Sequence, residues 1–73
     1  KEMRTYLLPI SDGNDAWIEH VSAKSYTEAE TKLNKNLAED YEFVDLGGDL
    51  YDAQAAFSAN GYTIGEIYDI EEF

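Results

Sequence analysis

Seventy-three residues with 16 Asp and Glu against five Lys and Arg give this chain a formal charge of −11. That length bounds one domain, 1–73, near the lower limit for an unaided core, and the absence of cysteine excludes both a disulfide and a thiolate zinc site. A hydrophobic fraction of 44% is too high for a disordered acidic tail.

The first predicted element is a strand over Met3 to Ile10, where Thr5, Tyr6, Leu7, Leu8 and Ile10 favour a pleated surface. Pro9 lacks an N–H, so the strand is expected to end or lie at a sheet edge there. Ser11-Asp12-Gly13-Asn14-Asp15 reads as a hairpin turn. The return strand runs from Trp17 to Lys24, with Trp17, Val21 and Ala23 sharing one face with Glu19 and with Ile18, His20 and Ser22 on the other. Ser25 and Glu28 have capping-box spacing, which opens a helix with Tyr26, Ala29, Leu33 and Leu37 at helical intervals. Glu28 and Lys32 form an i,i+4 pair on that helix.

Tyr41 to Leu46 reads as a third strand, with Tyr41 and Phe43 on one face and Val44 and Leu46 on the other. Gly47-Gly48 breaks the pattern, and Asp49 caps a second helix carrying Leu50, Ala53, Gln54 and Phe57. Asn60-Gly61 closes it with a left-handed glycine. Tyr62 to Ile70 is the last predicted strand. The order β-β-α-β-α-β implies an α+β domain, a mostly antiparallel sheet with two helices packed on one side.

Little in this chain points to catalysis. The lone histidine, His20, sits inside a strand. No cysteine nucleophile exists, the serines lie in no nucleophile elbow, and so short a chain rarely builds the cleft that splits the pKa values of paired carboxylates. A calcium loop counted from Asp12 would need Gly at its sixth position and Glu at its twelfth, where Trp17 and Ala23 stand. A phosphate cradle at Gly47-Gly48 would be surrounded by Asp45, Asp49 and Asp52, which repel phosphate. No enzyme activity, cofactor or metal is therefore expected.

Charge is the strongest signal. All five bases, Lys1, Arg4, Lys24, Lys32 and Lys35, fall within the first 35 residues. From Asn36 onward there are ten acids and no Lys, Arg or His, so that half holds −10 of the −11. Ordinary soluble surfaces intersperse both signs. A field of this kind repels nucleic acid and anionic lipid and attracts a basic partner. The expected contact residues are Asp45, Asp49, Asp52, Glu66, Asp69, Glu71 and Glu72, with Tyr51 and Tyr68 as rings on which guanidinium groups can stack. Asp69 and Glu71, two apart on a strand, would stand about 6.6 Å from each other, a spacing able to imitate a nucleic-acid backbone.

No stretch is long and apolar enough to span a bilayer, and no secretory signal is recognisable. With no cysteine, a cytoplasmic setting is the expectation. In overall type (tiny, acidic, cysteine-free, simple α+β) the chain resembles phage and mobile-element inhibitors of host defence, including DNA-mimic and anti-CRISPR proteins. The likeness is one of composition and attaches to no motif. It implies a non-enzymatic inhibitor whose acidic C-terminal half docks on a basic, nucleic-acid-binding host protein, as a monomer or small homo-oligomer. The alternative is a small homo-oligomeric structural or accessory domain, suggested by strand edges and many tyrosines.

Overall fold

The structure, a computed structural model, describes residues 3–72 and, of Glu72, only the backbone. β1 (Arg4–Ser11) and β2 (Ala16–Ala23) pair antiparallel along their whole length, from Arg4 opposite Ala23 to Ser11 opposite Ala16. The loop between them closes on Asp12, whose Oδ1 accepts the N–H of Asn14 at 2.9 Å and of Asp15 at 2.8 Å. Gly13 supplies the positive φ of 98° that this tight turn needs. The bonds from Asp15 and Asn14 hold the Asp12 carboxyl below its ordinary range. Alternation then does what it predicts: Tyr6, Leu8 and Ile10 are buried on one face, with Ala23 beside them and Trp17 and Val21 packed against the cluster.

α1 (Tyr26–Asp40) starts where expected. The Ser25 hydroxyl accepts the Glu28 N–H at 3.2 Å. The reciprocal half of the capping box is not made, because the Glu28 carboxylate turns to Lys32 Nζ at 3.2 Å instead. Ala29, Leu33 and Leu37 are buried against the sheet.

The predicted strand over Tyr41 to Leu46 does not form; the segment is a turn-rich connection. Tyr41 donates its N–H to the Leu37 carbonyl at 2.8 Å, and Val44 donates to the Tyr41 carbonyl at 3.1 Å. Its apolar residues have another use. Tyr41 and Phe43 join Phe57 and Tyr62 in a four-ring cluster with every pair of centroids 4.9–5.9 Å apart, mostly in edge-to-face geometry. Val44 is buried, whereas Leu46 points outward.

α2 (Leu50–Ala59) carries the complete capping box: the Asp52 N–H reaches Asp49 Oδ1 at 2.9 Å, and the Asp49 N–H reaches Asp52 Oδ2 at 3.4 Å. The helix ends as predicted. Gly61 (φ 85°) is left-handed, Tyr62 N–H donates to the Phe57 carbonyl at 2.9 Å and Gly61 N–H to the Ser58 carbonyl at 3.3 Å. That pattern is a Schellman motif, and the Tyr62 ring on Phe57 is its hydrophobic contact.

The last predicted strand is broken in two. β3 (Thr63–Ile64) and β4 (Tyr68–Asp69) both pair antiparallel with β1, so β1 is the central strand and not an edge. Ile10 faces Ile64, but Tyr6 faces Asp69. Leu8 and Pro9 thus stand opposite Gly65, Glu66 and Ile67, a β-bulge. Pro9 is its cause. Gly65 N–H donates to the Pro9 carbonyl at 3.0 Å, and Pro9 has no N–H to return. The Gly65 carbonyl takes Gln54 Nε2 from α2 instead, at 3.0 Å. Beyond Asp69 a 3-10 turn covers Ile70–Glu72. The domain is α+β as predicted, with the order β-β-α-α-β-β and both helices on the Tyr6–Leu8–Ile10 face. Among the described residues no helix is long and apolar enough to cross a membrane.

Removing the α2 cap with Asp49→Ala should cost about 0.5–2 kcal/mol in urea melts, and Ser25→Ala, with its single bond, the lower part of that range. Gly65→Ala should be worse than its size suggests. A Cβ there would lie 2.9 Å from Pro9 Cγ, an overlap worth about 1–3 kcal/mol of destabilisation.

Alkali provides a third check. Burial first, then Tyr62, Glu19, Asp40 and Asp12, raise the Tyr41 hydroxyl above its usual 10.0; burial, Glu30 and Glu66 do the same to Tyr26. Both tyrosines ionise at lower pH in the unfolded chain. Their contribution is whole below about pH 10 and is lost as pH rises through the raised folded values. The melting temperature should fall steadily above about pH 10, and Tyr41→Phe should lessen the fall.

Candidate protein-binding interface

Space regroups the predicted acids. The connection between α1 and α2 is pinned by Asn34, which is buried on α1 (4% exposed) and donates Nδ2 to the Asp45 carbonyl at 2.9 Å. Leu50 N–H, one of the free donors at the start of α2, reaches across to Glu30 Oε2 at 2.7 Å. Asp45, Asp49 and Asp52 are all exposed on this corner. Leu46 and Tyr51 stand out from it, 75% and 76% exposed, the highest values among the exposed large hydrophobics of the described residues. Gly47 turns the chain with a φ of 87°. Gly48 lets the Asp52 side chain close on the backbone: a Cβ there would sit 3.2 Å from Asp52 Oδ2.

The predicted acids of the last strand are split up. Glu66 accepts Gln54 Nε2 at 3.0 Å from α2. It acts on Tyr26 together with Glu30, so it belongs to the helix layer. Asp69 is inside: its side chain is 7% exposed, its Oδ2 lies 2.9 Å from Arg4 Nε, and its Oδ1 accepts the Glu71 N–H at 3.0 Å. Glu71 is exposed and shares Arg4 at 3.4 Å. The chain leaves β4 into the 3-10 turn at Ile70, so Asp69 and Glu71 do not form the expected row along one strand face. The Glu72 side chain lies outside the described residues. Tyr68 pairs with Leu7 on the sheet face turned away from the helices.

One group is thereby coherent: Asp45, Asp49 and Asp52 with Tyr51 and Leu46, and Glu30 behind them. Sequence reasoning missed Glu30, because it falls in the half that also holds all the bases. Its signal was weak, a carboxylate at a half-buried position of α1 beside the apolar stripe. Among the described residues the ion pairs are Arg4 with Asp69 and Glu71, and Lys32 with Glu28; Asp45, Asp49 and Asp52 have none. The capping role of Asp49 and Asp52 accounts for two of these charges locally, since negative charge suits a helix N-terminus. Asp45 and the exposed Tyr51 ring are not explained by capping.

The described residues line concavities at two places on the fold. One of about 10 Å³ lies between α1, α2 and the sheet, lined by Leu8, Leu33, Leu37, Leu50 and Ile67 among others. The other, about 270 Å³ and open, lies at the Pro9–Gly65 end of the sheet. Among the described residues no group of three His, Cys, Asp or Glu side chains is placed to hold a metal. No protein-family model matches the chain, and neither a curated protein nor a solved structure matches it.

Proposed function

We propose that this chain is a non-enzymatic binding module or inhibitor that docks on the basic surface of a nucleic-acid-binding protein, in the manner of a DNA-mimic anti-defence protein such as an anti-CRISPR. The observation that carries the reading is the α2 corner. Three exposed carboxylates, without a cationic partner among the described residues, surround a Tyr ring that projects into solvent. Arg recognises such a surface twice, with a carboxylate on the guanidinium edge and the ring on its face. Lys can satisfy only the charge. The phosphates of nucleic acid offer the same charge to the same groove, which supports competition with nucleic acid for the partner.

Asp69 takes no part in this reading, because Arg4 already neutralises it inside the fold. Tyr68 takes none either, since it lies on the other sheet face. The contact set is Asp45, Asp49, Asp52 and Tyr51, with Glu66 at its margin and the exposed Glu71 outside it.

The test uses a basic protein captured by the chain from host lysate, followed by titration with double-stranded DNA. DNA should displace the chain from its partner; simultaneous binding of both would sink the proposal. The combined variant Asp45→Asn, Tyr51→Ala, Asp52→Asn should weaken association at least tenfold, about 1.4 kcal/mol, and flatten its salt dependence. The hairpin variant Asp12→Asn, Asp15→Asn changes the charge equally and should leave affinity nearly unchanged. Equal losses in both would mean that net charge acts without a localised site.

A further inference from the structure

The sheet has a second face, and its chemistry is unlike the rest of the molecule. By register it comprises alternate residues of β1 from Thr5 to Ser11, alternate residues of β2 from Ala16 to Ser22, Thr63 of β3 and Tyr68 of β4. Both helices cover the opposite face. A solvated antiparallel sheet face normally carries charged and polar side chains. This chain is 29% charged, yet none of these positions is Asp, Glu, Lys or Arg. Down its middle run Leu7, Pro9, Ile18 and Tyr68, with Ile18 57% exposed. The open groove of about 270 Å³ lies at one end of the same face, lined by Pro9, Ala16, Thr63 and Gly65 among others and by no acid.

We infer that this face is a self-association surface, and that its occupant is the same face of a second copy in a two-fold dimer. Charge chooses the occupant. A basic partner is drawn to the helix layer and finds no carboxylate at these positions, whereas an uncharged face with an apolar middle is matched by another such face, and a two-fold interface requires only one. Face-to-face sheets stand about 10 Å apart. With a helix layer outside each, the α2 corners of the two copies are roughly 30 Å apart, several Debye lengths of about 8 Å. The −11 charges are then held on the outer surfaces.

Edge-to-edge pairing through β2 is the competing geometry, and it is obstructed. Lys32 Nζ donates to the Ser22 carbonyl on the free edge of β2 at 2.7 Å, a charged block of the kind that protects edge strands. Size sets the strength. Eight residues at roughly 3.3 Å by three strand positions at roughly 4.8 Å outline a face of about 26 by 14 Å. Two such faces outline about 730 Å², below the roughly 1,000 Å² of a stable specific interface. The dimer is therefore weak and concentration-dependent. It is independent of the acidic corner and presents two such corners outward.

Sedimentation over a concentration series of the whole chain tests this. A monomer–dimer equilibrium is expected, with a dissociation constant that does not rise with salt, opposite to the behaviour of an acidic contact. Ile18→Glu and His20→Glu alter exposed side chains, so each variant should keep its circular dichroism and melting temperature. Each should raise the dissociation constant at least tenfold, while Asp45→Asn with Asp52→Asn should not raise it. A wild-type chain that stays monomeric at millimolar concentration overturns the inference. So does a dimer that survives both Ile18→Glu and His20→Glu, or one that dissociates with added salt.

Discussion

Phe57 is the point at which four segments converge. It is fully buried, and its ring meets Tyr41 at the end of α1, Phe43 in the connection and Tyr62 just before β3. Its carbonyl accepts the N–H groups of both Asn60 and Tyr62, which turns the chain out of α2 and into the sheet. A domain of this size has room for one such centre, and edge-to-face rings give it direction as well as buried area. The path of the acid-bearing connection follows from it. With Tyr41 and Phe43 anchored in the cluster and Asp45 held by Asn34, the glycines only have to turn the chain toward Asp49.

The same anchoring explains where sequence pattern misleads. Tyr41 to Leu46 can set Tyr41 and Phe43 on one strand face and Val44 and Leu46 on the other, but such spacing reports only that successive side chains have different surroundings. Here Tyr41 and Phe43 are taken by the ring cluster, and the segment joins no strand of the sheet. Caps were legible because they are local: Ser25, Asp49 and Gly61 act within three or four residues of themselves. The bulge was half legible. Pro9 announces a missing donor, but that the break would fall in its partner strand depends on the contact of Pro9 with Gly65, far apart in sequence, and its repair on Gln54 reaching Gly65 from α2.

Charge was legible as a total and only partly as a surface. The sequence split −10 from −1 at Asn36, but folding does not respect that division. Arg4 crosses to the other half to pair with Asp69, and Glu30 crosses to meet the first turn of α2. The acidic face is smaller than the count implied and more sharply placed, around one helix start with one exposed aromatic ring. The apolar face was hidden for a related reason. Ile18, His20 and Leu7 are unremarkable one by one; only the strand register sets them side by side and reveals that no charge lies between them.

The position of β1 at the centre of the sheet also governs the order in which the molecule can be completed. β1 precedes the other strands, yet its second edge pairs only with β3 and β4, the last strands of the chain. During synthesis the hairpin and α1 can assemble from adjacent sequence, while the second edge of β1 stays open until Asp69 has left the ribosome. Arg4 waits equally long for its carboxylate. A nascent chain stalled short of β4 therefore carries an unpaired strand edge beside an incomplete core, the kind of surface that chaperones hold and that pairs wrongly with its neighbours.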